Sequence, residues 1–306
     1  CSSDLASIAA SQKITGITVF TSRFAAGTST LTAVTCSASG TDEAVRLRKA
    51  TTIMPMMPQE MAIFFGSCSV SPTLRFFSIS AAAPQIILIS ANTMHGSDEV
   101  LAKLDELGIP YIADSQHLEN HPLGRVEWVK LVGALLDMEE EADAYFDEEV
   151  QRVNAVAESV AGESEHPTIL QTYIFKGTVY VRNGGDYVNK MLELAGGTYP
   201  FAELEPGQGG NTKMTVEEFY QGAVDAEILI YDNTSDVSVS TVADILANGD
   251  YLADMKAIQE GNVWGIQKNY WQSADDVATM IEDIATIIYH PEDADQLHYF
   301  YKLPAE

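Results

Sequence analysis

Cations are scarce in this chain, so the places where they fall among aromatic residues are conspicuous. Its 306 residues carry 17 Lys and Arg against 44 Asp and Glu, a formal net charge of −27. Lys176 and Arg182 stand in a stretch that also holds Tyr173, Phe175 and Tyr180, and a second aromatic string, Asn269-Tyr270-Trp271-Gln272, follows later. Such residue types can hold an anion, because an ammonium or guanidinium makes charge-assisted hydrogen bonds to carboxylate or phosphate oxygens. Ring faces supply the apolar walls of small-molecule pockets. A plainer alternative stays open at each place: exposed cations that balance neighbouring acids, and aromatic side chains that pack beneath a terminal helix.

Other residue types suggest other chemistry. His95, His117, His121 and Asp114 could ligate a metal ion, and the four-residue step from His117 to His121 would put both imidazoles on one face of a helix. Pro122 biases His121 away from helical geometry, which favours a capping or packing histidine. No GxSxG, HExxH or P-loop occurs; Gly207–Gly210 (GQGG) lacks the following Lys-Ser/Thr and a preceding strand, and reads as a flexible loop. Acids are plentiful enough for a catalytic carboxylate pair, yet no spacing singles out two of them. Cys1, Cys36 and Cys68 have neither CxxC spacing nor an even count, so a disulfide framework or zinc knuckle has little support. The acidic balance excludes a direct nucleic-acid role, since such a surface repels phosphate backbones.

The elements that must position these residues are legible from about Pro84 onward. Gln85–Ser90 (QIILIS) reads as a strand buried on both faces, Ser97 and Asp98 cap a helix that Gly108 ends, and Tyr111–Ala113 is the next strand, a β-α-β unit with a right-handed crossover. Two helical stretches lie between Leu123 and Ala161. The first includes Trp128, Leu131, Val132 and Leu135; the second, about 24 residues from Met138, packs through Ala142, Tyr145, Phe146, Val150, Val153 and Val156 and turns its acids, Glu139–Glu141 included, to solvent. Strands follow at 169–174, 178–181, 226–231 and 262–266, with helices at 187–194, 216–222, 242–247, 251–258 and 273–289.

The expected architecture is α/β: two α/β lobes with parallel-type sheets joined by one long interlobe helix, with an N-terminal lobe over 1–136, the helix over 137–162 and a C-terminal lobe over 163–306. Residues 1–90 hold four acidic and six basic residues and 25 Ser and Thr, and their patterning assigns no elements. No stretch approaches the roughly 20 apolar residues that cross a bilayer. Cys1-Ser2-Ser3 is what a cleaved bacterial lipoprotein presents, so Cys1 is expected to carry lipid and tether the protein outside the cytoplasmic membrane; the alternative is that the sequence simply begins there.

Four segments resemble the class III, cobalamin- and siderophore-type substrate-binding proteins of ABC importers. They are Glu99–Tyr111 (EVLAKLDELGIPY), His121–Ala142 (HPLGRVEWVKLVGALLDMEEEA), Tyr187–Gly197 (YVNKMLELAGG) with Met214–Asp232 (MTVEEFYQGAVDAEILIYD), and Asn262–Glu292 with its Val-Trp-Gly strand, aromatic loop and final His-Pro-Glu. The resemblance implies a monomeric, non-enzymatic protein that captures an iron-siderophore, haem or corrinoid in a cleft between lobes and delivers it to a permease dimer. No cofactor or resident metal is implied. Tyr173, Lys176, Tyr180, Arg182, Tyr270 and Trp271 are the implied ligand contacts. One acid per lobe would dock on the permease, Asp98 or Glu99 from the first and Glu217 or Glu218 from the second, although all four also suit the first turn of a helix. A Zn- or Mn-binding transport lipoprotein using the histidines and Asp114 is the alternative within transport, and a carboxylate-based hydrolase the alternative outside it. Residues 1–83 lack the opening strand and Gly-containing turn of the family. A shifted reading frame and true divergence both fit that departure, and first-lobe contacts do not carry over there.

Overall fold

The computed structural model describes residues 86–90, 97–234 and 238–306, together with four short strands nearer the start. Those strands are β1 (Val19–Ala25), β2 (Thr28–Val34), β3 (Arg48–Lys49) and β4 (Ala62–Phe64), an antiparallel sheet of order β3-β2-β1-β4. Cys1, Cys36, Cys68 and His95 lie outside the described residues.

The apolar run after Pro84 and the short strand after Pro110 then pair as expected. β5 (Ile87–Ser90) lies parallel to β6 (Tyr111–Asp114), with Ile87 opposite Tyr111 and Ser90 opposite Asp114. Between them runs α1 (Ser97–Leu107), ended by Gly108 at φ 64, the left-handed conformation that a residue without Cβ adopts at no steric cost. Asp98 and Glu99 fall in the first turn of α1.

The helical region that follows has three segments where two are expected: α2 (Pro122–Glu127), α3 (Val129–Leu136) and α4 (Glu139–Val160), with Trp128 at the junction of the first two. Asp137 ends α3 in a left-handed conformation at φ 55. Gly133 allows α3 to lie against α4, because a Cβ there would stand 2.5 Å from the Ala142 Cβ. The 22 residues of α4 span about 33 Å. Its packed stripe departs from expectation. Ala142 and Val153 are buried, whereas Tyr145 is exposed and an acid, Glu149, is buried among them. Glu139, Glu140 and Glu141 are exposed, as a solvated first turn requires.

The remaining chain builds a six-stranded sheet from β7 (Ile169–Phe175), β8 (Thr178–Arg182), β9 (Asn211–Met214), β10 (Ile228–Tyr231), β11 (Val263–Ile266) and β12 (Phe300–Lys302). The order is β12-β11-β10-β7-β8-β9. The central strands β7, β10 and β11 run parallel, while β8, β9 and β12 join antiparallel, so the parallel sheet read from the sequence is mixed at its edges. Helices α5 (Tyr187–Leu194), α6 (Val216–Ala223), α7 (Val242–Leu246), α8 (Lys256–Gln259) and α9 (Val277–Tyr289) complete this part. Residues expected as one helix over 251–258 form a 3-10 turn, Asp250–Asp254, followed by α8, and α9 begins at Val277 rather than Ser273.

The hydrophobic core runs from Val126 to Leu303 and includes Ile169, Leu170, Met191, Phe219, Leu229, Tyr231, Trp264 and Phe300, each no more than 2% exposed. Each such side chain contributes about 1.5–3 kcal/mol by leaving water. Chain contacts divide the molecule into two units, residues 1–117 and 118–306; α4 packs on α3 and α9 within the second.

Candidate functional site

In open α/β sheets the carboxyl ends of parallel strands are where loops converge on ligands. Here those ends are Phe175 of β7, Tyr231 of β10 and Ile266 of β11. β7 turns directly into β8 through Lys176 and Gly177, at φ 51 and φ 73, between the paired residues Phe175 and Thr178. Two consecutive positive φ values match the turn to the twist of the strands it joins. Phe175 and Lys176 are therefore exposed at a hairpin tip, with the Lys176 Nζ 5.1 Å from the Phe175 ring centroid.

One pleat down, Tyr173 and Tyr180 are directly opposite across the hairpin. Their rings stack with centroids 4.6 Å apart and planes within 6°, and both are half-buried. Arg182, two residues on from Tyr180, shares its face. The Arg182 side chain is buried, 5.0 Å from the Trp271 ring and 4.0 Å from an Asp186 oxygen. Asp186 is already committed to backbone donors: Val188 N–H donates to Oδ1 at 3.0 Å and Gly210 N–H to Oδ2 at 2.7 Å, capping α5 and pinning the 207–210 loop. On the far side of Tyr180, Lys213 of β9 places its Nζ 5.5 Å from that ring.

Beyond β11, the aromatic string forms a 3-10 turn, Tyr270–Gln272, in which neighbouring residues have different fates. Tyr270 is buried edge-on against Trp271 and packs on Tyr299 and Phe300. Its ring therefore lies on the face of the turn that belongs to the core. Trp271 is half-buried and donates its Nε1–H to Thr234 Oγ1 at 2.9 Å, while Thr234 N–H donates to Asp232 Oδ1 at 3.1 Å. The loops after β10 and β11 are thus tied together beside Arg182.

Two participants escape a reading of the sequence. Arg125 of α2 lies on the ring of Tyr187, with Cζ 3.8 Å from the centroid, and Tyr187 is the first residue of α5. Burial pushes the Tyr187 phenol up, and the charges of Arg125 and Arg182 both act to pull it down. The scarcity of cations that drew attention to Arg182 applied equally to Arg125.

Local backbone geometry bears on the histidines and the candidate docking acids. Residues 116–118 form a 3-10 turn and His121 is extended at φ −113, so no single helix carries His117 and His121. His121 Nδ1 accepts from Leu123 N–H at 3.2 Å and caps α2; burial, with Lys190 nearby, lowers its pKa. Among the described residues no group of three or more His, Cys, Asp and Glu is placed to hold a metal ion. Of the candidate docking acids on α6, Glu218 is engaged in a capping box with Thr215, accepting from its N–H at 2.9 Å, whereas Glu217 is exposed and takes no part in the cap. Among the described residues no helix is long and apolar enough to cross a membrane.

A family model described as periplasmic binding protein matches residues 75–270. The chain belongs to the periplasmic binding protein family. Its members of the class III type are solute-binding proteins rather than enzymes. The match begins at residue 75, leaving residues 1–74 outside it. Two uncharacterized lipoproteins of Methanocaldococcus jannaschii are similar, one 31% identical over 73% of this chain and 52% of its own length, the other 27% identical over 77% and 60%. The chain thus spans about half the length of the curated relatives it matches. Among solved structures, this binding protein shares its fold with a possible iron-binding (periplasmic solute-binding) protein of Staphylococcus epidermidis, at a TM-score of 0.57 and 17% identity over 70% of this chain and 79% of that one. A periplasmic haem-binding protein of Vibrio cholerae matches at a TM-score of 0.58 and 15% identity, over 72% and 88%.

Proposed function

We propose that this chain is the extracytoplasmic, lipid-anchored substrate-binding component of an ABC importer, and that its cargo is a metal chelate: an iron-siderophore, haem or a corrinoid. The observation that carries this reading is the face at the carboxyl ends of β7, β10 and β11, where the Tyr173–Tyr180 stack stands beside Arg182 and Trp271. Half-buried rings next to a buried guanidinium suit a large, flat or aryl-bearing chelate better than a bare ion, which asks for several convergent oxygen, nitrogen or sulfur ligands. The names of the lipoprotein relatives support the anchor, and those of the fold relatives support iron- or haem-containing cargo. Transfer would proceed by docking of the loaded protein on the permease dimer, with Glu217 as the acid offered by the second unit and Asp98 or Glu99 by the first. The protein would act as a monomer and change no bond in the cargo.

A thermal-shift screen of the purified protein tests this directly, because a molecule that binds the folded state alone raises the melting temperature. Haem, cyanocobalamin, several ferric siderophores, Zn²⁺ and Mn²⁺ form the panel. A rise with one or more chelates is the expected result. A rise with Zn²⁺ or Mn²⁺ alone would replace the chelate reading with metal-ion transport, and no rise with any of them would remove it.

A further inference from the structure

Arg125 is placed where a protein of this charge should not leave a guanidinium. Arg152 meets the carboxylates of Glu149 and Glu282, and Arg182 has Asp186 at 4.0 Å. Arg125 rests on the Tyr187 ring, and among the described residues no carboxylate lies within 4.0 Å of it. Its Nε is buried without a hydrogen-bond acceptor. Arg125 as a whole is half-buried, so its charge stays partly hydrated, but an N–H with neither water nor acceptor is costly, and an arriving acceptor removes that cost. A guanidinium stacked on a ring donates from its edges, in a fork that fits carboxylate or phenolate oxygens bidentately. Tyr187 directly follows Asp186, whose carboxylate stands 4.0 Å from Arg182, so Arg125 borders the cation of the candidate cargo face through the start of α5.

We infer that Arg125 is a further cargo-recognition residue, whose guanidinium receives a carboxylate or phenolate of the cargo and makes the site select anionic chelates over neutral or cationic ones. This rests on the capture reading above and adds the charge class of what is captured.

The test is a titration followed by quenching of tryptophan fluorescence, using the intact protein and four probes of different charge: haem and the ferric complex of 2,3-dihydroxybenzoate as anions, cyanocobalamin as neutral, ferrioxamine B as cationic. The wild type should take one or both anions in preference to the other two. Arg125→Gln should weaken anion binding about tenfold or more, the loss of a hydrogen bond to a charged group, with an unchanged melting temperature. Arg125→Lys, which keeps the charge but not the fork, should recover part of the affinity. If Arg125→Gln does not fold, Arg125→Lys carries the test: weakened anion binding supports the assignment, and wild-type affinity overturns it. Equal anion affinity of wild type and a folded Arg125→Gln overturns it as well, as does tight wild-type binding of cyanocobalamin or ferrioxamine B alone; in both cases chelate capture itself stands. Binding of none of the four probes brings down the capture reading and, with it, the role of Arg125.

Discussion

A carboxylate that is 2% exposed in a chain with so many solvated acids needs partners, and Glu149 has them. Its Oε2 accepts from the N–H of Ala278 at 2.9 Å and its Oε1 from Arg152 Nη1 at 2.9 Å, while Arg152 also donates to Glu282 and Thr279. Ala278 lies in the first turn of α9, whose own N-cap residue, Asp276, makes no side-chain cap bond. Glu149 therefore caps α9 from across the fold. Its proton affinity is nonetheless raised, first by burial, with the Ala278 N–H and Arg152 opposing. Replacing it, Glu149→Ala, should cost about 1–3 kcal/mol of stability in urea unfolding, since a buried donor and a guanidinium lose their acceptor. The pH dependence follows from the sign of the shift. A group that holds its proton more tightly when folded contributes fully below its unfolded pKa, and that contribution declines as pH rises through the folded value. The gap between wild type and variant should accordingly narrow as pH rises above about 4, the ordinary glutamate value; a gap that widens would mean the ion pair with Arg152 outweighs burial.

At the scale of elements, the hairpin joining β7 and β8 sets the height at which Tyr173, Tyr180 and Arg182 stand, and its tip places a non-glycine residue at positive φ. A left-handed residue with a Cβ carries about 1–2 kcal/mol of strain. Lys176→Gly should raise the melting temperature or leave it unchanged, and Lys176→Val should lower it, because branching at Cβ worsens the same contact. Calorimetry of the pair decides this; equal melting temperatures would show that the turn relaxes. Several elements are legible in the residues alone because their signals are local: the Thr215 cap of α6 and Gly108 after α1. The unassigned β9 and β12 have no such signal. Each is a strand of three or four residues, Asn211–Met214 and Phe300–Lys302, held by pairing with Tyr180 and its neighbours or with Trp264–Ile266.

At the scale of the molecule, the main hydrophobic core of the described residues is gathered within 118–306, which is also one contact unit. A polypeptide of residues 118–306 should hence fold alone, with a single cooperative transition by circular dichroism; a broad, gradual loss of signal would show that the first unit is needed for its stability. By itself the sequence determined the α/β class, most helix and strand positions after Pro84, the aromatic and cationic stretches and the family resemblance, because caps, turns and apolar periodicity act over a few residues. Only the tertiary structure decided which candidates share one face. It buried Tyr270 while leaving Trp271 half-open, stacked Tyr173 on Tyr180, engaged Glu218 in a cap but not Glu217, and brought Arg125 to Tyr187 from a helix some sixty positions earlier. The physical reason is common to all of these. Burial, stacking and ion pairing depend on neighbours that are distant in the chain, and no local pattern of residue types encodes which neighbour folding will supply.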